Sequence, residues 1–309
     1  MEEHSIKAYV ATGASSPRFA LQEAPAPQAA PGTLVLGVEA ISLNPGEITW
    51  PWDAGVVPGW DIAGTVLQAS PDGAGPAVGT RLAAILEAGG WAEQVAVPLG
   101  QLAVLPDGVS TEEAVTLGVA GVTARRILQQ SGPLDGKQVL VTGAAGGVGR
   151  FAVQLAHRAS ATVTALVNRE GQADELRGLG AAHVVVGTDA LPGRYDVVVD
   201  GVGGPALEAA IAAAAPGARI VTYGLASGRP AQIPFFAFVN APGSTLQGYF
   251  IWQDDRDSLG ADLGHLAALV AAGQLDARVA HVRPWADLDA AADDLVSGRA
   301  RGKTVVRLP

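Results

Sequence analysis

The first third of the chain alternates short apolar runs with glycine and proline turns, a pattern that predicts β-strands. No helical period of comparable strength competes with it there. Turn signals such as Asp72-Gly73 and Gly89-Gly90 separate the runs. The predicted strands are Ile6–Val10, Thr33–Ala40, Ile62–Ala69, Arg81–Ile85 and Trp91–Val97. We therefore expect a twisted, mostly antiparallel β domain.

A regular alternation of helices and strands begins after Gly108. Ser110 and Glu113 have the spacing of a capping box, which predicts a helix to about Gln130 with a break near Gly118–Gly121. The later strands are continuous Val/Ile/Leu runs, typical of a sheet covered on both faces. The predicted elements are strand Gln138–Thr142, helix Gly147–Ala159, strand Thr162–Val167, helix Gln172–Leu179, strands Val184–Val186 and Asp196–Asp200, helix Pro205–Ala215 and strand Arg219–Tyr223. This order predicts a doubly wound parallel sheet.

The last segment is too short to form a core of its own. It is predicted to contain helices Leu263–Ala272 and Asp287–Ser297 and a final strand, Thr304–Leu308. We expect this segment to return to the first domain. The predicted domains are therefore a discontinuous β domain, residues 1–118 and 253–309, and a dinucleotide-binding domain, residues 119–252.

Composition and charge narrow the classes of protein. Hydrophobic residues make up 49% of the 309 residues and charged residues 16%, which is typical of a globular chain with a large core. The net charge of −10 argues against nucleic acid or an anionic membrane as the main partner. The absence of cysteine excludes disulfides and thiolate catalysis. An acidic, polar start at Met1 and the lack of a long apolar run predict a cytoplasmic protein.

A glycine turn follows the predicted strand Gln138–Thr142 and opens a helix, the context of a dinucleotide-binding fingerprint. Gly146 is expected to let the backbone approach a pyrophosphate, and Gly149 to let the helix pack closely on the strand. The helix N-terminus offers N–H groups to phosphates. The alternative is a glycine-rich turn in an unrelated α/β domain. The turn reads Ala144-Ala145-Gly146-Gly147-Val148-Gly149.

The end of the next strand bears on the choice between NADH and NADPH. Recognition of the ribose 2′-hydroxyl places Asp or Glu about 20 residues after the glycines. Here the strand ends on Val167-Asn168-Arg169, so no carboxylate repels a 2′-phosphate and Arg169 offers two N–H groups to one. We therefore predict NADPH as the cofactor. The alternative is that Arg169 is a solvated arginine at a strand end.

The glycine turn resembles that of the medium-chain dehydrogenase/reductase superfamily, especially its quinone oxidoreductase branch. Five further segments resemble the family in order and spacing, and together they cover nearly the whole chain. They are the early active-site loop Ser42–Glu47, the Pro-Gly-x-acid-x-x-Gly segment Pro58–Gly64, the nicotinamide-contacting helix Ala120–Ala124, the turn Asp200–Gly204 and the final strand Gly302–Val306. The resemblance implies an α/β protein with a GroES-like β domain, a Rossmann domain, an active site in the cleft between them, and a homodimer.

Zinc enzymes of this superfamily use a cysteine in the early loop and a histidine in the Pro-Gly segment. Here Asn44 occupies the early loop, Trp60 stands at the histidine place, and the chain has no cysteine. The five histidines, which are His4, His157, His183, His265 and His281, are scattered without metal-ligand spacing. We therefore predict a metal-free enzyme.

The resemblance also implies the residues of the site. Asn44 is predicted to hydrogen-bond the nicotinamide ribose or amide or the substrate carbonyl, Thr123 to face the nicotinamide, and Tyr249 to donate a proton. Their alternatives are a turn residue before Pro45, a helix cap and a core tyrosine. Asp61 stands where the family has a carboxylate, in a role that is catalytic or structural. The predicted cofactor-binding residues are Asn44, Thr123, Ala145, Gly146, Gly147, Val148, Asn168, Arg169, Gly201, Val202, Tyr223, Gly224, Leu225, Phe250, Ile251 and Lys303.

Aromatic residues are scarce, at 5% of the chain, but three tryptophans lie close together in the sequence. Trp50, Trp52 and Trp60 are predicted to line a substrate cleft, because a flat conjugated substrate stacks well on such side chains. The alternative for each is ordinary core packing, which we favour for Phe235–Phe238.

Without zinc to polarise an ordinary ketone, the natural acceptor of hydride is a quinone or an α,β-unsaturated carbonyl, which delocalises the incoming charge. The sequence therefore predicts an NADPH-dependent quinone or enone reductase acting on a small conjugated substrate. Two alternatives stay open. One is a biosynthetic enzyme of the same fold that reduces an iminium or enoyl group or promotes cyclisation, and the other is a non-catalytic NADPH-binding or redox-sensing protein.

Overall fold

The computed structural model describes residues 5–15, 17–188, 191–300 and 302–309. The chain forms two compact units, which we call the β unit (Met1–Val122 and Trp252–Pro309) and the Rossmann unit (Thr123–Ile251). The borders fall after residues 122 and 251, where the sequence placed them after residues 118 and 252. Within the described part of the chain, no helix combines the length and the apolar character needed to cross a bilayer.

The strands and helices are numbered in chain order. The strands are β1 (Ser5–Ala11), β2 (Phe19–Pro25), β3 (Thr33–Leu43), β4 (Asp61–Gln68), β5 (Arg81–Ile85), β6 (Gln94–Pro98), β7 (Leu102–Val104), β8 (Gln138–Thr142), β9 (Thr162–Val167), β10 (His183–Val186), β11 (Tyr195–Asp200), β12 (Ala214–Thr222), β13 (Thr245–Gly248), β14 (Val279–Pro284) and β15 (Lys303–Arg307). The helices are α1 (Pro45–Thr49), α2 (Thr111–Thr116), α3 (Val119–Gln130), α4 (Gly147–Arg158), α5 (Ala173–Gly178), α6 (Gly204–Ala212), α7 (Phe235–Asn240), α8 (Leu259–Ala271) and α9 (Leu288–Val296).

The β unit is built around one large sheet in the order β14-β15-β3-β4-β5-β7, with β6 also paired to β3. All pairs in it are antiparallel except β14 with β15. The last strand, β15, lies beside β3 with Thr304 opposite Leu43. The register therefore brings Lys303, at the start of β15, to the early loop that follows β3.

The Rossmann unit contains a six-stranded parallel sheet in the order β10-β9-β8-β11-β12-β13. The chain winds outward from β8 to β10, returns to β11 beside β8, and then winds outward the other way. This reversal is the topological switch point at which dinucleotides bind, outside the carboxyl ends of the strands. The predicted fold class, an antiparallel GroES-like unit with a Rossmann unit, is confirmed.

Most predicted elements are confirmed to within one or two residues at each end, including the break between α2 and α3. The capping box of α2 is present, with the Ser110 hydroxyl accepting from Glu113 N at 3.2 Å and Ser110 N donating to the Glu113 carboxylate at 3.0 Å. The predicted strand Trp91–Val97 begins only at Gln94, and the predicted helix Leu263–Ala272 begins four residues earlier, at Leu259.

The predicted helix Pro205–Ala215 is wrong at its end. The helix α6 stops at Ala212, and β12 begins at Ala214, opposite Tyr195. Proline has no N–H to donate and disfavours helical geometry in the residue before it, so Pro216 excludes a helix that includes Ala215. The strands β2, β7, β13 and β14 and the helices α1 and α7 were not predicted, because they are short or lack a clear alternation of burial.

Candidate functional site

The glycine turn joins β8 to α4 at the carboxyl edge of the parallel sheet. Gly143 has a φ of +59°, in the left-handed region that glycine adopts without strain. Gly146 precedes the first turn of α4 in extended geometry, no side chain caps the helix, and the first turn carries no acidic residue. Its N–H groups and dipole therefore form a site for an anion.

Gly149 presses the first turn of α4 against the end of β8. A Cβ atom at this position would lie 2.7 Å from Ala144 Cα and closer still to the Gly143 carbonyl oxygen. Only glycine fits there without a shift of the backbone, which confirms the predicted close packing. Gly146 is different, because it is exposed and a Cβ atom there would meet only the Gly143 carbonyl oxygen, at 3.2 Å. The predicted contacts of residues 145–148 with the cofactor stay predictions.

The end of β9 presents the side chains predicted to select the cofactor. Asn168 and Arg169 are both exposed, and Arg169 has an extended backbone, with φ −149° and ψ 142°. Within the described residues, the Arg169 guanidinium forms no hydrogen bond and no ion pair. It is therefore available to an anionic ligand.

Asp200, at the end of β11, is a further functional candidate. From the sequence it was included in a turn motif, but no role was assigned to its side chain. Its carboxylate is fully buried and accepts hydrogen bonds from the hydroxyls of Thr142, at 2.5 Å, and Thr222, at 2.9 Å. It also accepts from the backbone N–H of Gly203 at 3.2 Å and of Val202 at 3.3 Å. The signal in the sequence was an aspartate closing a strand of valines, directly before a glycine-rich turn.

The loops after β11 and β12 lie against each other. Three backbone hydrogen bonds join them, from Tyr223 N to Asp200 O, from Ala226 N to Gly201 O, and from Ser227 N to Val202 O. The Tyr223 ring covers Gly201 so closely that a Cβ atom at residue 201 would lie 2.5 Å from Tyr223 Cζ. Burial and the charge of Asp200 both raise the pKa of Tyr223, so the phenol stays protonated.

The predicted cofactor residues Gly201, Val202, Tyr223, Gly224 and Leu225 are thus brought together. Leu225 is exposed and lies over Gly203, where a Cβ atom would meet its Cδ1 at 2.6 Å. A Cβ atom on Gly143 would lie 3.0 Å from Val202 Cγ2, so this group of residues adjoins the glycine turn.

The segment after β13 begins with Tyr249, whose N–H donates to Thr222 O at 2.8 Å. Tyr249 and Ile251 are buried, whereas Phe250 is partly exposed. Thr123 is buried in α3, at the start of the Rossmann unit. The roles of Tyr249 as proton donor and of Thr123 beside the nicotinamide stay predictions.

Asn44 is buried in the β unit within a network of polar side chains. Its Nδ2 donates to Asp61 Oδ2 at 2.8 Å, and its Oδ1 accepts from Lys303 Nζ, also at 2.8 Å. Lys303 Nζ also donates to Asp61 Oδ2 at 3.1 Å and to Leu43 O at 3.3 Å, so its three hydrogens all have acceptors. The predicted cofactor contacts of Asn44 and Lys303 stay predictions, and in this structure both side chains are bound within the network.

Glu47 is the second buried carboxyl group of this network. Its Oε1 accepts from Asn44 N at 2.6 Å, and its Oε2 accepts from Trp60 N at 2.8 Å. Burial and the nearby charge of Asp61 raise the pKa of Glu47 to about 8, against the opposing effects of these N–H groups and of Lys303. One ammonium group therefore faces two buried carboxyl groups, of which one is largely protonated at neutral pH.

The three tryptophans predicted to line the substrate cleft differ in exposure. Trp60 is 5% exposed and stands edge-to-face with Trp252, with ring centroids 5.4 Å apart. A Cβ atom on Gly46 would lie 2.7 Å from the Trp60 ring, so Gly46 makes room for it. Trp52 donates its indole N–H to Glu47 O at 2.7 Å, and Trp50 is 46% exposed. Substrate contact stays a prediction for all three.

The side chains that would hold zinc are absent from the positions where the family has them. Trp60 and Asn44 stand in those segments, and the chain has no cysteine. Among the described residues, no group of three or more His, Asp and Glu side chains is arranged to hold a metal ion. His4, predicted not to be a ligand, lies outside the described residues.

One unit thus carries a switch-point parallel sheet with a glycine turn, which is typical of dinucleotide-binding enzymes, and the other is built around a mostly antiparallel sheet. A family model described as zinc-binding dehydrogenase matches residues 172–306. The acrylyl-CoA reductase AcuI of Ruegeria pomeroyi is 33% identical over 274 residues, which are 81% of this chain and 80% of that protein.

Two further comparisons agree with these. A chloroplastic quinone-oxidoreductase homolog of Spinacia oleracea is 34% identical over 229 residues, 65% of this chain and 68% of the relative. The mycobacterial protein Rv1454c, solved in complex with NADPH, has the same fold, with a TM-score of 0.88 at 24% identity over 98% of this chain and 99% of that one. The chain belongs to the medium-chain dehydrogenase/reductase superfamily, in its quinone oxidoreductase-like branch, and is an oxidoreductase.

Proposed function

We propose that this protein is an NADPH-dependent, zinc-independent reductase that transfers hydride to a quinone or to the activated C=C bond of an enone or enoyl compound. The observation that carries the proposal is an early loop without metal ligands, together with a strand end that offers the exposed Arg169 and no carboxylate to a 2′-phosphate. The names of two relatives support the proposal, since one is named for acrylyl-CoA reduction and another is called a quinone-oxidoreductase homolog.

The residues of the Rossmann unit fit NADPH. The uncapped N-terminus of α4 offers N–H groups to the pyrophosphate, and the unpaired Arg169 guanidinium offers two donors to the 2′-phosphate. Bound NADPH supplies the hydride. The loops after β11 and β12 would hold its nicotinamide half.

The residues at the family's zinc-ligand positions in the β unit, Asn44 and Trp60, do not fit a catalytic zinc ion. An ordinary ketone needs strong polarisation of its carbonyl, which a zinc ion would supply, whereas a quinone or enone spreads the incoming charge over its own conjugated system. The chain then has only to orient the acceptor, exclude water and provide a proton. Tyr249 or solvent would provide that proton, and Trp50 and Trp52 would contact a flat acceptor.

The test is NADPH oxidation with a panel of quinones, enones, enoyl thioesters and simple ketones, each also measured after dialysis against a zinc chelator. We expect turnover of conjugated acceptors, none of simple ketones, and no effect of the chelator. Turnover of ketones that the chelator abolishes would contradict the proposal. NADPH binding without turnover of any acceptor would favour a binding or redox-sensing protein, and reduction of cyclic imines alone would favour a biosynthetic enzyme.

A further inference from the structure

Asp200 is a buried carboxylate without a cation. Its side chain is fully inaccessible to solvent, and within the described residues no lysine, arginine or histidine forms an ion pair with it. Burial of a charge is strongly unfavourable unless hydrogen bonds replace its water, and here two hydroxyls and two backbone N–H groups do so. Burial of this carboxylate still costs free energy of folding, which an apolar residue at position 200 would not cost.

The donors to Asp200 come from three neighbouring strand ends. Thr142 ends β8 directly before the glycine turn, Val202 and Gly203 belong to the turn after β11, and Thr222 ends β12. The Thr142 hydroxyl in turn accepts from Gly201 N at 3.2 Å. One carboxylate therefore links the three loops that carry most of the predicted cofactor residues.

We propose that Asp200 is a positioning residue that sets the relative geometry of these three loops and thereby the affinity for the dinucleotide. The inference rests on the proposed function for its ligand and deepens it, because it names the group that organises the site. Loss of its charge would leave the donors with weaker acceptors and let the loops separate. Because all three loops must meet the same ligand, small separations would reduce its affinity.

The same strand supplies a matched control. Asp196 lies near the other end of β11 and also bridges to β8, accepting from Gln138 N at 2.9 Å and from Lys137 Nζ at 3.2 Å. It differs from Asp200 in being partly exposed and paired with a lysine, and in lying at the amino edge of the sheet, where no cofactor is expected. An effect of losing any carboxylate that bridges β11 to β8 would appear in both variants, whereas an effect on cofactor positioning would appear only at Asp200.

The experiment compares Asp200→Asn with Asp196→Asn in the full chain by NADPH fluorescence titration. We expect Asp200→Asn to raise the Kd for NADPH by about tenfold or more, and Asp196→Asn to change it by less than about twofold. Hydrogen exchange without cofactor is the second readout. It should become faster in residues 143–147, 201–204 and 223–228 of Asp200→Asn, and in Asp196→Asn only near residues 137–139.

The outcomes separate this inference from the proposed function. If the wild type binds NADPH and Asp200→Asn binds it equally well, or if Asp196→Asn weakens binding as much, positioning by Asp200 is wrong and the function stands. If the wild type does not bind NADPH, the proposed function fails, and unchanged exchange in the three loops of Asp200→Asn would overturn positioning by Asp200 as well. Should Asp200→Asn fail to fold, Thr142→Val removes a single donor and is expected to weaken NADPH binding severalfold; an unchanged Kd would overturn the inference.

Discussion

Lys303 Nζ lies 2.8 Å from Asn44 Oδ1, although 259 positions of the chain separate the two residues. The contact exists because β15 pairs with β3, which places Lys303, at the start of β15, next to the early loop that follows β3. It fixes the orientation of the Asn44 carboxamide, since the oxygen faces the ammonium group and the nitrogen faces Asp61.

The first prediction concerns the charge of Lys303. Lys303→Met keeps the length of the side chain but leaves the buried carboxyl groups of Asp61 and Glu47 without a cation. Removal of one partner of a buried ion pair destabilises a folded protein by about 3–5 kcal/mol, so the urea midpoint of the β unit should fall markedly. The control is Lys137→Met, which removes an exposed ion pair with Asp196 worth about 0–1 kcal/mol. Equal midpoints for the two variants would show that the network contributes little.

The second prediction is a pH dependence. The pKa of Glu47 is raised from its ordinary 4.5 to about 8 in the folded protein, so between these values the folded state binds more protons than the unfolded state. The contribution of Glu47 to stability is therefore complete below about pH 4.5 and is lost as the pH rises through about 8, with a slope of up to about 1.4 kcal/mol per pH unit.

Urea unfolding from pH 5 to pH 9 measures this slope. Glu47→Gln should flatten it, whereas Glu113→Gln, in the corresponding position of the capping box of α2, should leave it unchanged. A wild-type slope that survives in Glu47→Gln would assign the effect to another group.

The third prediction concerns Gly149. In Gly149→Ala the new Cβ meets the backbone of Gly143 and Ala144, so α4 must move away from β8. We expect a loss of about 1–3 kcal/mol in stability together with weaker NADPH binding. Gly178→Ala is the control, because a Cβ atom there has nothing within 4 Å. Normal NADPH affinity in Gly149→Ala would mean that the turn tolerates this displacement.

The fourth prediction concerns the 2′-phosphate. Arg169→Ala should remove most of the preference for NADPH over NADH, because it deletes the only unpaired guanidinium proposed for that phosphate. Arg177→Ala, an exposed arginine of the same unit paired with Asp174, should preserve the preference. Titration of both dinucleotides against the three proteins measures the ratio of the two Kd values. Equal wild-type affinities for NADH and NADPH would contradict the assignment of Arg169.

Sequence patterns predicted the Rossmann sheet better than the β unit. The run from β8 through the glycine turn to α4 combines a buried strand, a turn that requires glycine and an amphipathic helix, all of which are local signals. The edge strand β14 is almost entirely exposed and shows no alternation, and α1 is five residues long, so neither has a local signal. The end of α6 was misplaced because alanine favours helix until Pro216 is weighed against it.

In the candidate site, too, the features that depend on adjacent residues were predicted and those that depend on distant residues were not. The glycine turn and the Asn168-Arg169 ending were readable because their chemistry follows from residues adjacent in the chain. Asp200 was visible only as part of a turn motif, since its hydroxyl partners Thr142 and Thr222 lie 58 and 22 positions away. The pKa of Glu47 was not foreseeable, because burial and the charge of Asp61 cause it.

By itself, the sequence determined the family, the position of the nucleotide turn and the lack of cysteine ligands, because these depend on residue types at short spacing. Only the tertiary structure decided what the polar side chains contact. Pairing of β15 with β3 bound Asn44 to Lys303, and the order of the parallel strands brought three loops to Asp200. Hydrogen bonds and buried charges depend on distances of a few ångströms between residues far apart in the chain, and only the pairing of strands and the packing of their loops brings such residues together.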